Sequence, residues 1–173
     1  LKKVARTDQE VAIYIGNGHA AWEAALSNVV GEGDCVLGMF NGHFGHGWAA
    51  MAEGLGVVVE PLEFGVKAPA DMAKLEAALS ADKQGRIKAV LCTHVDTSTS
   101  IRNDIKAVRD AINAAGHEAL LMVDCIASMG CDRFEMDAWG VDVAVAASQK
   151  GLMVPAGVGF VFFSAKAAAR RAE

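Results

Sequence analysis

Long apolar runs are missing from this sequence, and none reaches the roughly 20 residues needed to span a bilayer as a helix. Basic clusters are missing too. Sixteen Lys and Arg stand against 21 Asp and Glu, for a formal net charge of -5. A mildly acidic chain of this kind argues against nucleic acid or an anionic membrane as the main partner. The opening Leu1-Lys2-Lys3-Val4 lacks an initiator Met and soon meets polar residues rather than a signal-peptide apolar core. The expectation is a cytoplasmic protein, present as a processed product or a piece of a longer chain. Cysteine is scarce, and Cys35, Cys92, Cys125 and Cys131 form no C-x-x-C pair. Three of them sit in apolar, strand-like runs, the pattern of reduced structural thiols. No H-E-x-x-H occurs, and His19, His43, His46 and His94 lack the spacing of a zinc site, so no metal is expected. Linkers, repeats and low-complexity tracts are also absent.

What is present is enough for one domain with a substantial core. Hydrophobic residues make up 53% of the 173 residues and charged residues 21%, which excludes disorder. Strand-length apolar runs occupy 11–15, 35–40, 57–62, 89–94, 120–125, 141–147 and 159–163. Their nearly continuous apolar character predicts strands buried on both faces. Helical patterns alternate with them. One covers 20–30 and stops at Gly31; a second covers 48–55; a third covers 70–79 after Pro69, with Met72, Leu75 and Leu79 on one face. Asn103 or Asp104 can cap a further helix carrying Ile105, Val108 and Ile112 and ending at Gly116, and Ser164 can cap a last one over 165–172. Strands alternating with helices predict a doubly wound α/β sheet with its ligand site beyond the carboxyl ends of the strands.

Three features carry candidate chemistry. Gly16-Asn17-Gly18-His19 joins a strand to a helix, where small residues expose backbone N–H groups and the helix start favours an anion. A tight turn using glycine's freedom is the plain alternative. The spacing Gly16-x-Gly18-x-x-Ala21 also fits a dinucleotide fingerprint, but the second strand ends Met39-Phe40-Asn41, with no carboxylate for the ribose. Asp124 ends the apolar run Leu120-Leu121-Met122-Val123, where a carboxylate is costly unless paired; a helix cap or an ion pair would also explain it. Lys150 follows a buried strand and Ser148-Gln149, a setting in which desolvation would favour the neutral, nucleophilic amine. The plain alternative is a surface lysine just past a strand.

Together these runs carry a resemblance. Gly16-Asn17-Gly18-His19-Ala20-Ala21-Trp22-Glu23-Ala24-Ala25-Leu26, Phe40-Asn41-Gly42-His43-Phe44-Gly45, Asp96-Thr97-Ser98-Thr99, Leu120 through Asp124 with Ser128, and Gly140-Val141-Asp142 through Ser148-Gln149-Lys150-Gly151 occur in one order across nearly the whole chain. The sequence resembles the class V aminotransferases of the fold-type-I pyridoxal-phosphate superfamily, most of all their serine–glyoxylate and alanine–glyoxylate branch. The resemblance implies a three-layer α/β/α large domain over 1–173, with a seven-stranded, mainly parallel sheet in the order 3-2-4-5-6-7-1 and its last run antiparallel. It implies pyridoxal 5′-phosphate as cofactor. Asn17, Gly18 and His19 match the phosphate loop, and Phe44 matches the aromatic stacked on the pyridine ring. Thr97 matches the hydroxyl near the phenolic oxygen, and Ile126 the packing residue on the other ring face. Asp124 matches the acid paired with the ring nitrogen. Gln149 lies near the ring, and Lys150 matches the Schiff-base lysine.

The implied activity is amino transfer from serine or alanine to a 2-oxo acid such as glyoxylate, in a homodimer. Ser100 departs from the glycine usual in relatives and is followed by Ile101-Arg102. The family's N-terminal segment and its C-terminal small domain, with the arginine for the substrate carboxylate, are not matched by any part of the chain. Among the chain's own arginines only Arg102 lies near a site loop; Arg86, Arg109, Arg133, Arg170 and Arg171 read as solvated surface charges. A non-catalytic fragment or pseudo-enzyme and a nucleotide-binding oxidoreductase domain are the alternative readings.

Overall fold

A computed structural model describes residues 1–170. In chain order the elements are α1 (Lys2–Ala5), β1 (Glu10–Ile15), α2 (Gly18–Val29), β2 (Cys35–Phe40), α3 (His43–Gly54), β3 (Val58–Glu63), α4 (Met72–Ala81), β4 (Ile87–Thr93), β5 (Val95–Asp96), β6 (Ile101–Arg102), α5 (Ile105–Ala114), β7 (Leu120–Asp124), β8 (Val143–Ala147), β9 (Val158–Phe163) and α6 (Ala165–Arg170). Helix starts follow local chemistry. The side chains of Asn17, Asp71 and Asp104 accept hydrogen bonds from Ala20, Ala73 and Ala107 N–H, satisfying donors that a helix start leaves open. The Ser164 hydroxyl accepts from Ala167 N–H at the head of α6. Residues 171 and 172 of the expected last helix lie outside the described residues.

Seven strands form one sheet in the order β3-β2-β4-β7-β8-β9-β1, and β5 and β6 form a separate ribbon. Numbered as the seven sequence runs, this is the expected 3-2-4-5-6-7-1. The pairs β2–β3, β2–β4, β4–β7 and β7–β8 are parallel, while β9 is antiparallel to both β8 and β1. Alternate strand residues face two separate cores. Leu37, Val90, Leu121 and Phe162 pack with Leu75, Leu79, Ile105, Val108 and Ile112 of α4 and α5. Val36, Leu91, Met122 and Val145 pack with Trp22, Leu26 and Trp48 of α2 and α3. The result is a three-layer α/β/α sandwich, with each buried Leu or Ile contributing about 1.5–3 kcal/mol.

Two expectations need correction. The edge strands β1 and β3 are not buried on both faces: neither holds a fully buried residue, and Ile13 and Ile15 are exposed. An edge strand has a neighbour on one side only, and the helical layers do not reach across it. The second correction is α3, which starts at His43 rather than 48, so His43 and His46 belong to the helix. Gly42 offers no side-chain cap; Asp96 supplies it from a distant loop, its Oδ2 accepting Phe44 N–H at 2.9 Å and Gly45 N–H at 3.2 Å. A cap 52 residues away leaves no local signal.

Candidate active site

Three elements converge beyond the carboxyl ends of the central strands. β7 ends at Asp124, β8 leads through Ser148 to Gln149 and Lys150, and α2 starts at Gly18. Between them opens a cleft of roughly 240 Å³ lined by Asn17, Gly18, His19, Trp22, Phe44, Val95, Thr97, Asp124, Ile126, Ala127, Gln149 and Lys150. All nine residues singled out from the sequence therefore share one wall-to-wall site, although they come from positions 17 to 150. Trp22, Val95 and Ala127 line it as well and were not anticipated.

The floor is built around Asp124, which is buried. Its Oδ1 accepts Ile126 N–H at 2.7 Å and its Oδ2 accepts Trp22 Nε1–H at 3.0 Å. Neither a Lys nor an Arg pairs with it among the described residues. Burial pushes its carboxyl up to about 7, against the lowering by those two N–H donors and by Lys150, while the nearby Asp96 raises it further. A buried carboxylate held only by neutral donors calls for a cationic partner.

One wall is the start of α2. Ala20 N–H is occupied by Asn17 Oδ1 and Ala21 N–H by Asn17 O, but among the described residues Gly18 and His19 N–H find no acceptor. Two free N–H groups at the positive end of a 12-residue helix suit an anionic oxygen group. Gly18 leaves room for Ile126: a Cβ there would lie 2.5 Å from Ile126 Cδ1 and would push that side chain aside. The opposite wall is set by Asp96. Its Oδ2 holds the N–H of Phe44, and its Oδ1 accepts Ser98 N–H and Oγ–H at 2.9 and 2.6 Å. One buried carboxylate thus fixes both the cleft aromatic and the loop bearing Thr97.

That loop also explains Ser100, which adopts φ 58. This left-handed conformation costs an L-residue energy that glycine avoids, which gives a physical reason for the glycine that the resemblance led us to expect there. Two other expectations fail. Lys150 lies exposed at the cleft mouth rather than desolvated at the end of a buried strand. Arg109 is not a solvated charge; it is largely buried, pairs with buried Asp142 and donates to Gly140 O at 2.8 Å. His94 turns away from the cleft to pack against Phe134 and Trp139, its Nδ1 2.9 Å from Ser128 Oγ. Burial there lowers its pKa.

Known proteins match this arrangement. The profile of Aminotransferase class-V matches residues 3–172. The chain is 47% identical over 163 residues to serine–glyoxylate aminotransferase of Methylorubrum extorquens, covering 93% of this chain and 40% of that protein. It is 45% identical over 170 residues to L-aspartate–glyoxylate aminotransferase of Paracoccus denitrificans, covering 96% and 42%. The crystal structure of alanine–glyoxylate aminotransferase from Nostoc sp. superposes with a TM-score of 0.92 at 31% identity, over all of this chain and 45% of that one. The chain spans about two fifths of the length of the curated relatives it matches. The family's cofactor is pyridoxal 5′-phosphate. The cleft fits it: free helix N–H groups for a phosphate, Phe44 for a ring, a buried carboxylate short of a cation for a ring nitrogen, and an amine for an aldehyde. Fold, cleft and sequence agree that the chain belongs to the class-V aminotransferases.

Proposed function

We propose that this chain is the cofactor-binding large domain of an aminotransferase that moves the amino group of a small amino acid, serine or alanine, to a 2-oxo acid such as glyoxylate. The observation that carries the reading is the convergence of Asp124, Lys150, Phe44 and the free N–H groups of Gly18 and His19 on one cleft. When bound, pyridoxal phosphate supplies an aldehyde and an electron-accepting ring. Asp124 would accept a hydrogen bond from the protonated ring nitrogen and so support the ring's capacity to take up electrons. Asn17, Gly18 and His19 bind the phosphate through the α2 start. Phe44 and Ile126, both in the cleft lining, would pack against the ring. Thr97 and Gln149 orient its edge. The Nζ of Lys150 would hold the cofactor's aldehyde and, as a free amine, would carry the substrate's Cα proton as general base and acid. The partner expected is a second copy of the protein, with His43, Phe44 and His46 at the start of α3 near the contact; sedimentation of the intact protein tests this. Three buried free thiols, at Cys35, Cys92 and Cys125, support a reducing, cytoplasmic location.

Borohydride reduction of the cofactor-loaded intact protein, followed by peptide mapping, tests the central assignment. The label is expected on Lys150. A label on Lys67, Lys74 or Lys166 instead overturns it.

A further inference from the structure

Asp124 has one unusual neighbour. Buried acids at a site are commonly held by backbone N–H groups or by a basic side chain, but Oδ2 here is held by the indole Nε1–H of Trp22 at 3.0 Å. Oδ1 is tied to Ile126 N–H at 2.7 Å. With one N–H on each oxygen, the carboxylate plane is fixed, and the remaining lone pairs are aimed by that constraint. The indole is itself rigidly seated. Its ring stacks on Trp48 at 6.1 Å and 17° and meets His19 edge-on at 4.7 Å and Phe44 edge-on at 6.4 Å. Trp22 is only 2% exposed, so its donor cannot be replaced by solvent without rearrangement. The same side chain therefore touches the acid, the cleft aromatic and the first turn of α2.

We infer that Trp22 is a positioning residue for the cofactor, its indole N–H fixing the Asp124 carboxylate as acceptor for the ring nitrogen. The inference rests on the reading of Asp124 proposed above. Two physical effects follow from one hydrogen bond. It orients the acceptor, and it favours the ionised carboxyl in a site where burial works against ionisation. The titratable groups around Asp124 are Asp96 at the end of β5, Lys150 after β8, Cys92 of β4, Cys125 after β7 and His19 on α2 beside the indole. Asp96 and Lys150 act in opposite senses on Asp124, so removing the indole N–H leaves burial less opposed and moves the carboxyl further up.

The test uses the intact protein and two ligands that bind without a covalent bond: pyridoxamine 5′-phosphate, and its 1-deaza analogue with carbon in place of the ring nitrogen. Trp22→Phe keeps an aromatic ring and removes the donor; 3-benzothienylalanine at position 22 keeps the indole shape without the N–H. Dissociation constants are measured from pH 6 to 8.5. Both variants are expected to weaken pyridoxamine phosphate about tenfold at pH 7, the size of one hydrogen bond to a charged group. The loss should deepen toward pH 6, as the acid limb of binding moves to higher pH. The deaza analogue should change less than threefold, since it has no ring nitrogen to meet Asp124. Equal losses for both ligands, or no loss for either in the benzothienyl variant, overturn the positioning role. A wild-type protein that binds the two ligands equally well defeats the Asp124 reading itself, and this inference with it.

Discussion

Asp124 ties the residue scale to stability. Its carboxyl ordinarily titrates near 3.8 and burial raises it to about 7 in the folded protein. The folded state therefore holds its proton more tightly than the unfolded chain does, and stability falls as pH rises between those two values. Below about pH 4 both states are protonated and the cost is absent; above about pH 7 it is fully present. A shift of this size corresponds to about 4 kcal/mol at most. In the cofactor-free intact protein, the urea midpoint should fall between pH 4.5 and 7.5, and Asp124→Asn should flatten that slope. A slope unchanged in the Asn variant would show that another group causes it. With cofactor, Asp124→Asn should cost about 1.5–3 kcal/mol in affinity or barrier, the loss of a charge-assisted hydrogen bond. Turnover equal to wild type would remove Asp124 from the mechanism.

At the scale of elements, three hydrogen bonds to one carboxylate hold the layers in register. Asp142 sits just before β8. It accepts Arg109 from α5 and Leu121 N–H from β7 on Oδ2, and Ser164 Oγ–H from the head of α6 on Oδ1. Four segments thus meet at one buried carboxylate. Arg109→Met should destabilise the protein by about 3 kcal/mol, because it leaves a buried charge without its cation; chemical denaturation reads this directly, and a loss under 1 kcal/mol would mean the pair is effectively solvated. The 95–102 loop makes a different prediction. Ser100 at φ 58 carries a left-handed strain of about 1 kcal/mol. Glycine would remove it but gains about as much freedom in the unfolded chain, about 0.4–1 kcal/mol. Ser100→Gly should therefore be neutral within about 0.5 kcal/mol, while Ser100→Ile, β-branched at a positive φ, should cost more than 1 kcal/mol. A thermal melt of both variants separates strain from side-chain contacts.

For the whole molecule the decisive fact is where its arginines are. All six described ones face carboxylates: Arg6 and Arg133 on Glu135, Arg86 on Glu60, Arg102 on Asp132, Arg109 on Asp142 and Arg170 on Asp34. None lines the cleft. Arg102, the candidate nearest a site loop, is engaged with Asp132 at 3.1 Å. The cleft as it stands can hold a cofactor but offers no guanidinium for a substrate carboxylate, and positioning contributes roughly 7–11 kcal/mol of a barrier. The 173-residue chain, supplied with pyridoxal phosphate, should therefore transaminate serine and glyoxylate far more slowly than the intact protein. Comparable rates would mean that Arg102 exchanges partners and serves the substrate.

The sequence by itself determined much of this protein. Continuous apolar runs at β2, β4, β7 and β8 announced a buried parallel sheet, because only strands covered on both faces tolerate such composition. Asp104 and Ser164 announced their helices, because a cap acts within three residues. The motif order named the family and nine of the twelve residues of the cleft, which fall together because parallel strands deliver their carboxyl ends to one edge. Tertiary structure alone decided the rest, and in each case the partner is distant in sequence. Asp96 starts α3 from 52 residues away, Arg109 finds Asp142 across two layers, and Trp22 reaches Asp124 across 102 residues. A hydrogen bond depends on distance in space, and the local pattern of residues carries no record of which remote group will arrive to accept it.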